Sequence, residues 1–244
     1  MSISGAPRFS QLPKIPWSEA QKTLYKGRQI TCAYSGSDIV VYQAYNKEIA
    51  QHAVEHQTFE GCPKFDMRRM TWIKPNFLWM MYRCEWATKD VNQQHVLALF
   101  VNRDDFENLI LRNGVLTFNP FSSDCFDPNW MYYSSQEEWE KEAKQAKNSE
   151  NRIRVQWDPY HHPSGSKIGE TRAIQIGIKG SFLPSSLLSC VSKIEDITHF
   201  VREQNELRLA GEDVLIPVET LYHVQDDNIA KKLTIQKAVA QQEQ

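Results

Sequence analysis

The stretch MTWIKPNFLWMMYRCEW, residues 70–86, gathers Trp72, Lys74, Trp79, Tyr82 and Arg83 within a few turns of chain. Indole and phenol faces can stack on a nucleobase, worth about 1–3 kcal/mol per base. A guanidinium takes phosphate oxygens in bidentate fashion. Aromatic residues and methionines at helical spacing are most often core. Lys74 and Arg83 fit that reading less well, because cations seldom go fully buried without a partner. The residue types therefore point to a pocket for something both aromatic and anionic. If 76–83 is a helix, Phe77, Met80 and Met81 share one side, and Trp79, Tyr82 and Arg83 share another.

Other candidates are spread along the chain. Arg28 opens one β-rich run, RQITCAYS, and Tyr42, Gln43 and Tyr45 close a second, DIVVYQAY. Alternation sends Tyr42 to one face and Gln43 with Tyr45 to the other. The commoner meaning is a half-exposed polar face; the functional one puts Gln43 and Tyr45 at a cleft mouth. Trp157 and Arg172 can pair across a hairpin, a cation–π contact that is structural more often than functional. Asp158-Pro159 reads as a strand terminator, and His161 and His162 as exposed loop residues. Glu219 interrupts the apolar LIPVETLY. There an acid either faces solvent or points into a site, where a carboxylate would stabilise a developing ribosyl cation.

The elements that must position these residues follow from periodicity and punctuation. Residues 1–22 carry Pro7, Pro13 and Pro16 and read as irregular. Strands are expected at 28–35, 38–45, within 65–73, and at 95–101, 152–157, 172–178 and 214–224. Asn46 caps a helix to about Gln57, Asn76–Arg83 is helical after Pro75, and a short helix leads to Gly114. Residues 119–130 read as loop, and Ser135 with Glu138 form a capping box for a helix to about 148. A helix is expected over 185–203, with Leu187, Val191, Ile194, Ile197 and Val201 inward. Residues 226–244 read as a terminal helix with a frayed end. Strands and helices mix without regular βαβ alternation. The expected fold is a single α+β domain over 1–244, a mixed, largely antiparallel sheet with flanking helices.

The bulk numbers narrow the function. A net charge of -2 over 244 residues argues against a global grip on nucleic acid. Cys32, Cys62, Cys84, Cys125 and Cys190 include no CxxC and suit a reduced, cytoplasmic setting. No metal site is expected, no apolar run approaches a membrane span, and the N-terminal residues do not read as a signal peptide. GxGxxG, Walker, HExxH and GxSxG motifs are absent.

RQI, VYQAYNKEIA, MTWIKPNFLWMMYR, QWDP and RAIQIG together resemble the domain of unknown function 4291 family, over nearly the whole chain. A second resemblance, at the level of element order, is to ADP-ribosyltransferase-like proteins. It rests on VYQAYNKEIAQHAVEHQTF as first strand and helix, MTWIKPNFLWMMYR as second strand and following helix, HVLALFV as the third strand, and Glu219 on a late strand. That resemblance implies an enzyme using NAD as substrate, with RNA, a protein or water as acceptor. Tyr42, Tyr45, Trp72, Trp79 and Tyr82 would hold rings; Lys74, Arg83, Arg28 and Arg172 would hold phosphate; Glu219 would stabilise ribosyl charge. Gln43 stands where those proteins carry His or Arg, and Arg28 is the candidate substitute. The alternative is a non-catalytic nucleotide- or RNA-binding module built on the same groups.

Overall fold

The computed structural model describes residues 8–116, 137, 140–141 and 152–236. The expected loop at 119–130 and nearly all of the expected helix at 135–148 lie outside the described residues.

Two strands organise the molecule. β4 (Asp38–Tyr45) and β6 (His95–Asn102) pair antiparallel along their whole length, with Tyr42 opposite Ala98 and Tyr45 opposite His95. Both are apolar on both faces, as a central strand covered on two sides requires. They sit in a four-stranded sheet of order β10-β6-β4-β3, with β3 at Tyr34–Ser35 and β10 at Val191–Asp196. A second sheet has the order β5-β9-β8-β7, from β5 (Met70–Ile73), β9 (Lys167–Lys179), β8 (Ile153–His161) and β7 (Gly114–Leu116). β1 (Lys14–Pro16) pairs with β11 (Leu215–Pro217), and β2 (Thr31–Cys32) with β12 (Thr220–Leu221). Among the described ladders all are antiparallel except β7–β8. The fold is α+β.

Residues of β4 and β6 alternate between two cores. Ile39, Val41, Leu97, Leu99 and Val101 face the first, shared with Trp157, Ile174 and Ile176 of the second sheet. Val40, Tyr42, Val96, Ala98 and Phe100 face the second. Helix α1 (Trp17–Ala20) sends Trp17 into the second core, so the chain from Phe9 onward is ordered packing rather than the irregular segment expected. α2 (Lys47–His56) closes the first core with Ile49, Ala50 and Ala53, and Asn46 caps it by accepting from the Ile49 amide at 3.0 Å. α3 (Phe77–Cys84) covers the second core. α4 (Arg103–Asp105) runs into a π turn at Phe106–Ile110.

Several expectations are corrected. The strand expected over 28–35 is broken into β2 and β3 at Ala33. The expected helix over 185–203 is α5 (Leu187–Cys190), then β10, then α6 (Thr198–Leu209). β10 pairs with β6 through a bulge between Val191 and Lys193, and Ile194 is its deeply buried residue. The late strand is two short pieces, β11 and β12, with Glu219 between them. A last helix, α7 (Asp227–Lys232), ends before Leu233 and Ile235, which enter the first core. Among the described residues no helix is long and apolar enough to cross a membrane.

Asp158-Pro159 does not end its strand either. Pro159 stands opposite Arg172, and the Arg172 amide donates to the Gly27 carbonyl at 3.0 Å instead of to β8. In an antiparallel pair of that kind the opposite nitrogen also points away from the partner strand. A proline there removes no β8–β9 hydrogen bond. The hairpin therefore continues to His161, and its turn is 162–166.

Candidate functional site

β5 ends beside β4. The Tyr42 amide donates to the Lys74 carbonyl at 2.8 Å and the Lys74 amide to the Tyr42 carbonyl at 3.1 Å, which joins the two sheets. The chain then turns at Pro75 and Asn76 into α3. Glu219 holds the entrance of that helix: Oε1 accepts from the Phe77 amide at 2.5 Å and Oε2 from Asn76 Nδ2 at 3.1 Å. Carboxylates are favourable at a helix N-terminus. Burial nevertheless dominates and raises the Glu219 carboxyl to about 7, against bonds from Phe77, Asn76 and the Thr31 hydroxyl that favour ionisation.

α3 divides its side chains between core and cleft. Phe77, Met80 and Met81 are buried in the second core. Trp79 and Tyr82, one turn apart, stack at 5.4 Å between centroids with 17° between planes. His161 from the end of β8 lies parallel to both, 3.6 Å from Tyr82 and 5.3 Å from Trp79. The Arg83 guanidinium sits over the Trp79 ring at 5.9 Å. Trp79 is 3% exposed and His161 2%, whereas Tyr82 is 38% exposed, so one phenol ring caps a buried aromatic layer. His161 is thus not the exposed loop residue expected, and His162 is half-buried. Burial holds the His161 imidazole below its ordinary pKa. Trp79 Nε1 and His161 Nε2 are buried with no hydrogen-bond partner among the described residues, an arrangement native interiors mostly avoid.

Beyond Arg83 the backbone turns left-handed. Glu85, Trp86 and Ala87 have φ of 50°, 56° and 67°. Each such non-glycine residue costs roughly 1–2 kcal/mol, and strain of this kind concentrates at functional sites. Packing holds the turn. The Trp86 amide donates to the Met81 carbonyl at 2.9 Å, Trp86 Nε1 to the Pro163 carbonyl at 3.3 Å, and Arg208 from the end of α6 lies over the Trp86 ring at 5.8 Å. Tyr82, the left-handed turn, the 162–165 turn and Arg208 enclose a cleft of about 370 Å³. Its charged lining is Arg83, Lys89 and Arg208 against Glu85. α3 and α6 also present C-terminal ends there, each worth about half a negative charge. The cations still leave a net charge of about +1, with a phenol face beside it.

A second cluster lies behind Arg83. Lys74 is 7% exposed, and its Nζ donates to the Trp72 carbonyl at 3.2 Å. Burial, with Arg83 next, lowers its pKa to about 8. Asp158 accepts from Gln175 Nε2 at 2.8 Å and Gln156 Nε2 at 3.1 Å; burial raises its carboxyl, while Arg83 and Lys74 act in the opposite sense. Trp72 is half-buried beside Gly177, where an added Cβ would lie 2.9 Å from the indole.

The remaining expected site residues lie elsewhere. Tyr42 is completely buried, with its ring edge-on to Phe9 and Phe77, and is not part of the lining of the cleft beside α3. Gln43 is 1% exposed and donates to Thr71 Oγ1 at 2.9 Å, so it is not at a cleft mouth. Tyr45 shares that Thr71 hydroxyl at 2.6 Å and packs on Phe59 and Phe65. The Arg28 backbone is tied to Gln236, and Arg172 to Gly27. Trp157 faces the first core and donates to the Leu233 carbonyl at 2.9 Å. Asp158, Lys89, Trp86 and Arg208 were not anticipated. Asp158 stood in QWDP only as half of an expected strand terminator. Arg208 lies more than a hundred residues from α3, and nothing local in the sequence points to it.

No curated protein matches the chain. A family model described as a domain of unknown function, DUF4291, matches residues 29–222, which span α2, α3, both principal sheets and both cation clusters, and the chain belongs to that family.

Proposed function

We propose that the protein binds a phosphorylated nucleoside in the cleft beside α3, with the base against Tyr82 and the phosphates toward Arg83, Lys89 and Arg208. The observation that carries this reading is the exposed phenol ring layered on Trp79 and His161, next to three cations and only one carboxylate. The strained turn that supplies one wall supports it. This is the non-catalytic nucleotide- or RNA-binding module.

The fuller reading is an ADP-ribosyltransferase-like enzyme with NAD as substrate and RNA or a protein as acceptor. It draws on element order, which is fold-level analogy, and on Glu219. It is the weaker of the two, because Glu219 is engaged in capping α3 and Gln43 in binding Thr71.

Thermal shift and calorimetric titration with NAD, ATP, GTP and a short RNA test both readings. A nucleotide that binds raises the melting temperature by mass action, and Arg208→Ala weakens it about tenfold or more, the loss of one charge-assisted contact. Intact NAD after prolonged incubation separates binding from turnover. No shift with any member of the panel overturns the proposal.

A further inference from the structure

Glu85 is the one carboxylate in the lining of the cleft beside α3, among Arg83, Lys89 and Arg208. A carboxylate there works against phosphate binding. None of the three cations takes it up. Among the described residues the Glu85 side chain is in no ion pair or hydrogen bond. Lys89 donates instead to the Arg83 carbonyl at 3.4 Å, and Arg208 to Asn205 Oδ1 at 2.9 Å. The backbone beneath the carboxylate is nevertheless held. The Glu85 amide donates to the Tyr82 carbonyl at 3.4 Å, and the Glu85 carbonyl accepts from the Thr88 amide at 3.1 Å and the Thr88 hydroxyl at 2.5 Å. An exposed acceptor is thus fixed three residues beyond the Tyr82 ring, in the same lining.

An ionised carboxylate has acceptors only. A base edge that satisfies both oxygens must carry two neighbouring donors. Guanine does so, with N1–H beside the N2 amine on its Watson–Crick edge. Adenine sets its N1 acceptor beside the N6 amine, cytosine its N3 acceptor beside the N4 amine, and uracil a single N–H between two carbonyls. Each of these turns an acceptor toward the carboxylate. We infer that Glu85 makes the cleft selective for guanine nucleotides, its two oxygens accepting from N1–H and the N2 amine while the base lies on Tyr82 and the phosphates face the cations. The inference rests on the nucleotide reading above and adds the identity of the base to it. Selectivity comes from rejection as well as attraction, since any other base leaves a charge unpaired.

Calorimetric titration of the full chain with GDP, IDP and ADP, which share one diphosphate, tests it. GDP should bind at least about tenfold more tightly than ADP, a ratio that hydrogen bonds to a charged group can supply. IDP keeps N1–H, lacks the N2 amine and should fall between them. Glu85→Gln, checked for native circular dichroism, should bring GDP and ADP within about twofold of each other, chiefly because ADP gains affinity once the charge is gone. The wild-type comparison needs no variant to fold. Equal affinity for GDP and ADP, or a preference that survives Glu85→Gln, overturns the inference and leaves the nucleotide reading standing. No binding by any of the three overturns the inference, and silence of NAD, ATP, GTP and RNA as well overturns that reading with it.

Discussion

Glu219 shows how one carboxyl can support a helix and still lower stability at neutral pH. Its pKa rises from 4.5 unfolded to about 7 folded, with burial the largest cause. The folded state therefore holds the proton more tightly. The contribution is fully present below pH 4.5 and is lost as pH rises through 7, amounting to about 3 kcal/mol at most. Glu219→Gln keeps an acceptor for the Phe77 amide and removes the titration. The variant should match the wild type near pH 4 and become progressively more stable relative to it up to pH 8, as read by urea denaturation at each pH. A difference independent of pH would contradict this account. Tyr42 offers a second test at the same scale. Its hydroxyl is buried with no hydrogen-bond partner among the described residues, so Tyr42→Phe should leave the melting temperature unchanged or raise stability by about 1 kcal/mol. Because the ring belongs to the core, nucleotide affinity should not move. Tyr42 entered the expected site through the resemblance to ADP-ribosyltransferase-like proteins, not through strand alternation, which put it on the face opposite Gln43 and Tyr45. Neither could show that Phe9, more than thirty residues earlier, folds back to cover the ring.

The elements were legible in proportion to how local their causes are. β4, β6, α2 and α3 follow from alternation, continuous apolar runs and a capping asparagine, all within a few residues of each element. The 185–203 segment misleads because Leu187, Val191, Ile194, Ile197 and Val201 fall at helical spacing. β10 is instead held by pairing to β6, and its bulge at Val191 and its half-exposed residues erase the period of two that would announce a strand. Likewise, RCEWA gives no sign of how the residues after α3 turn. No glycine marks 85–87, although all three residues are left-handed. Glu85 is exposed there with φ 50° at the C-cap of α3. Glu85→Gly should relieve the left-handed penalty and stabilise the protein by about 1 kcal/mol, measured by thermal or urea unfolding. The same change removes the one carboxylate of the cleft lining, so nucleotide affinity should rise, most visibly at low salt. By contrast, a Cβ added at Gly180 would meet the Met67 carbonyl oxygen at 1.8 Å. Because the obstacle is backbone, Gly180→Ala should cost about 1–3 kcal/mol or more.

On the scale of the molecule, the two cores are two faces of the same pair of strands. Leu99 and Phe100 are neighbours in β6, yet Leu99 packs toward Trp157 and Ile176 while Phe100 packs in the core beneath α3. A backbone that leaves one core must leave the other, so neither has a separate route to unfolding. The Tyr42–Lys74 bridge adds a pair of backbone hydrogen bonds between the sheets at the point where α3 begins. The cleft depends on this arrangement, since Arg83, the 162–165 turn and Arg208 come from three elements carried by both cores. Phe100→Ala removes a completely buried ring and should cost about 3–5 kcal/mol. If the cores are coupled through β4 and β6, urea unfolding followed by far-ultraviolet and near-ultraviolet circular dichroism should remain one coincident transition. The midpoint would shift and the slope would not. Should the near-ultraviolet signal collapse first, or the slope fall, the core beneath α3 would be able to melt while the first persisted. The cleft would then be the less stable part of the fold, held together by the packing of α3 and α6 alone.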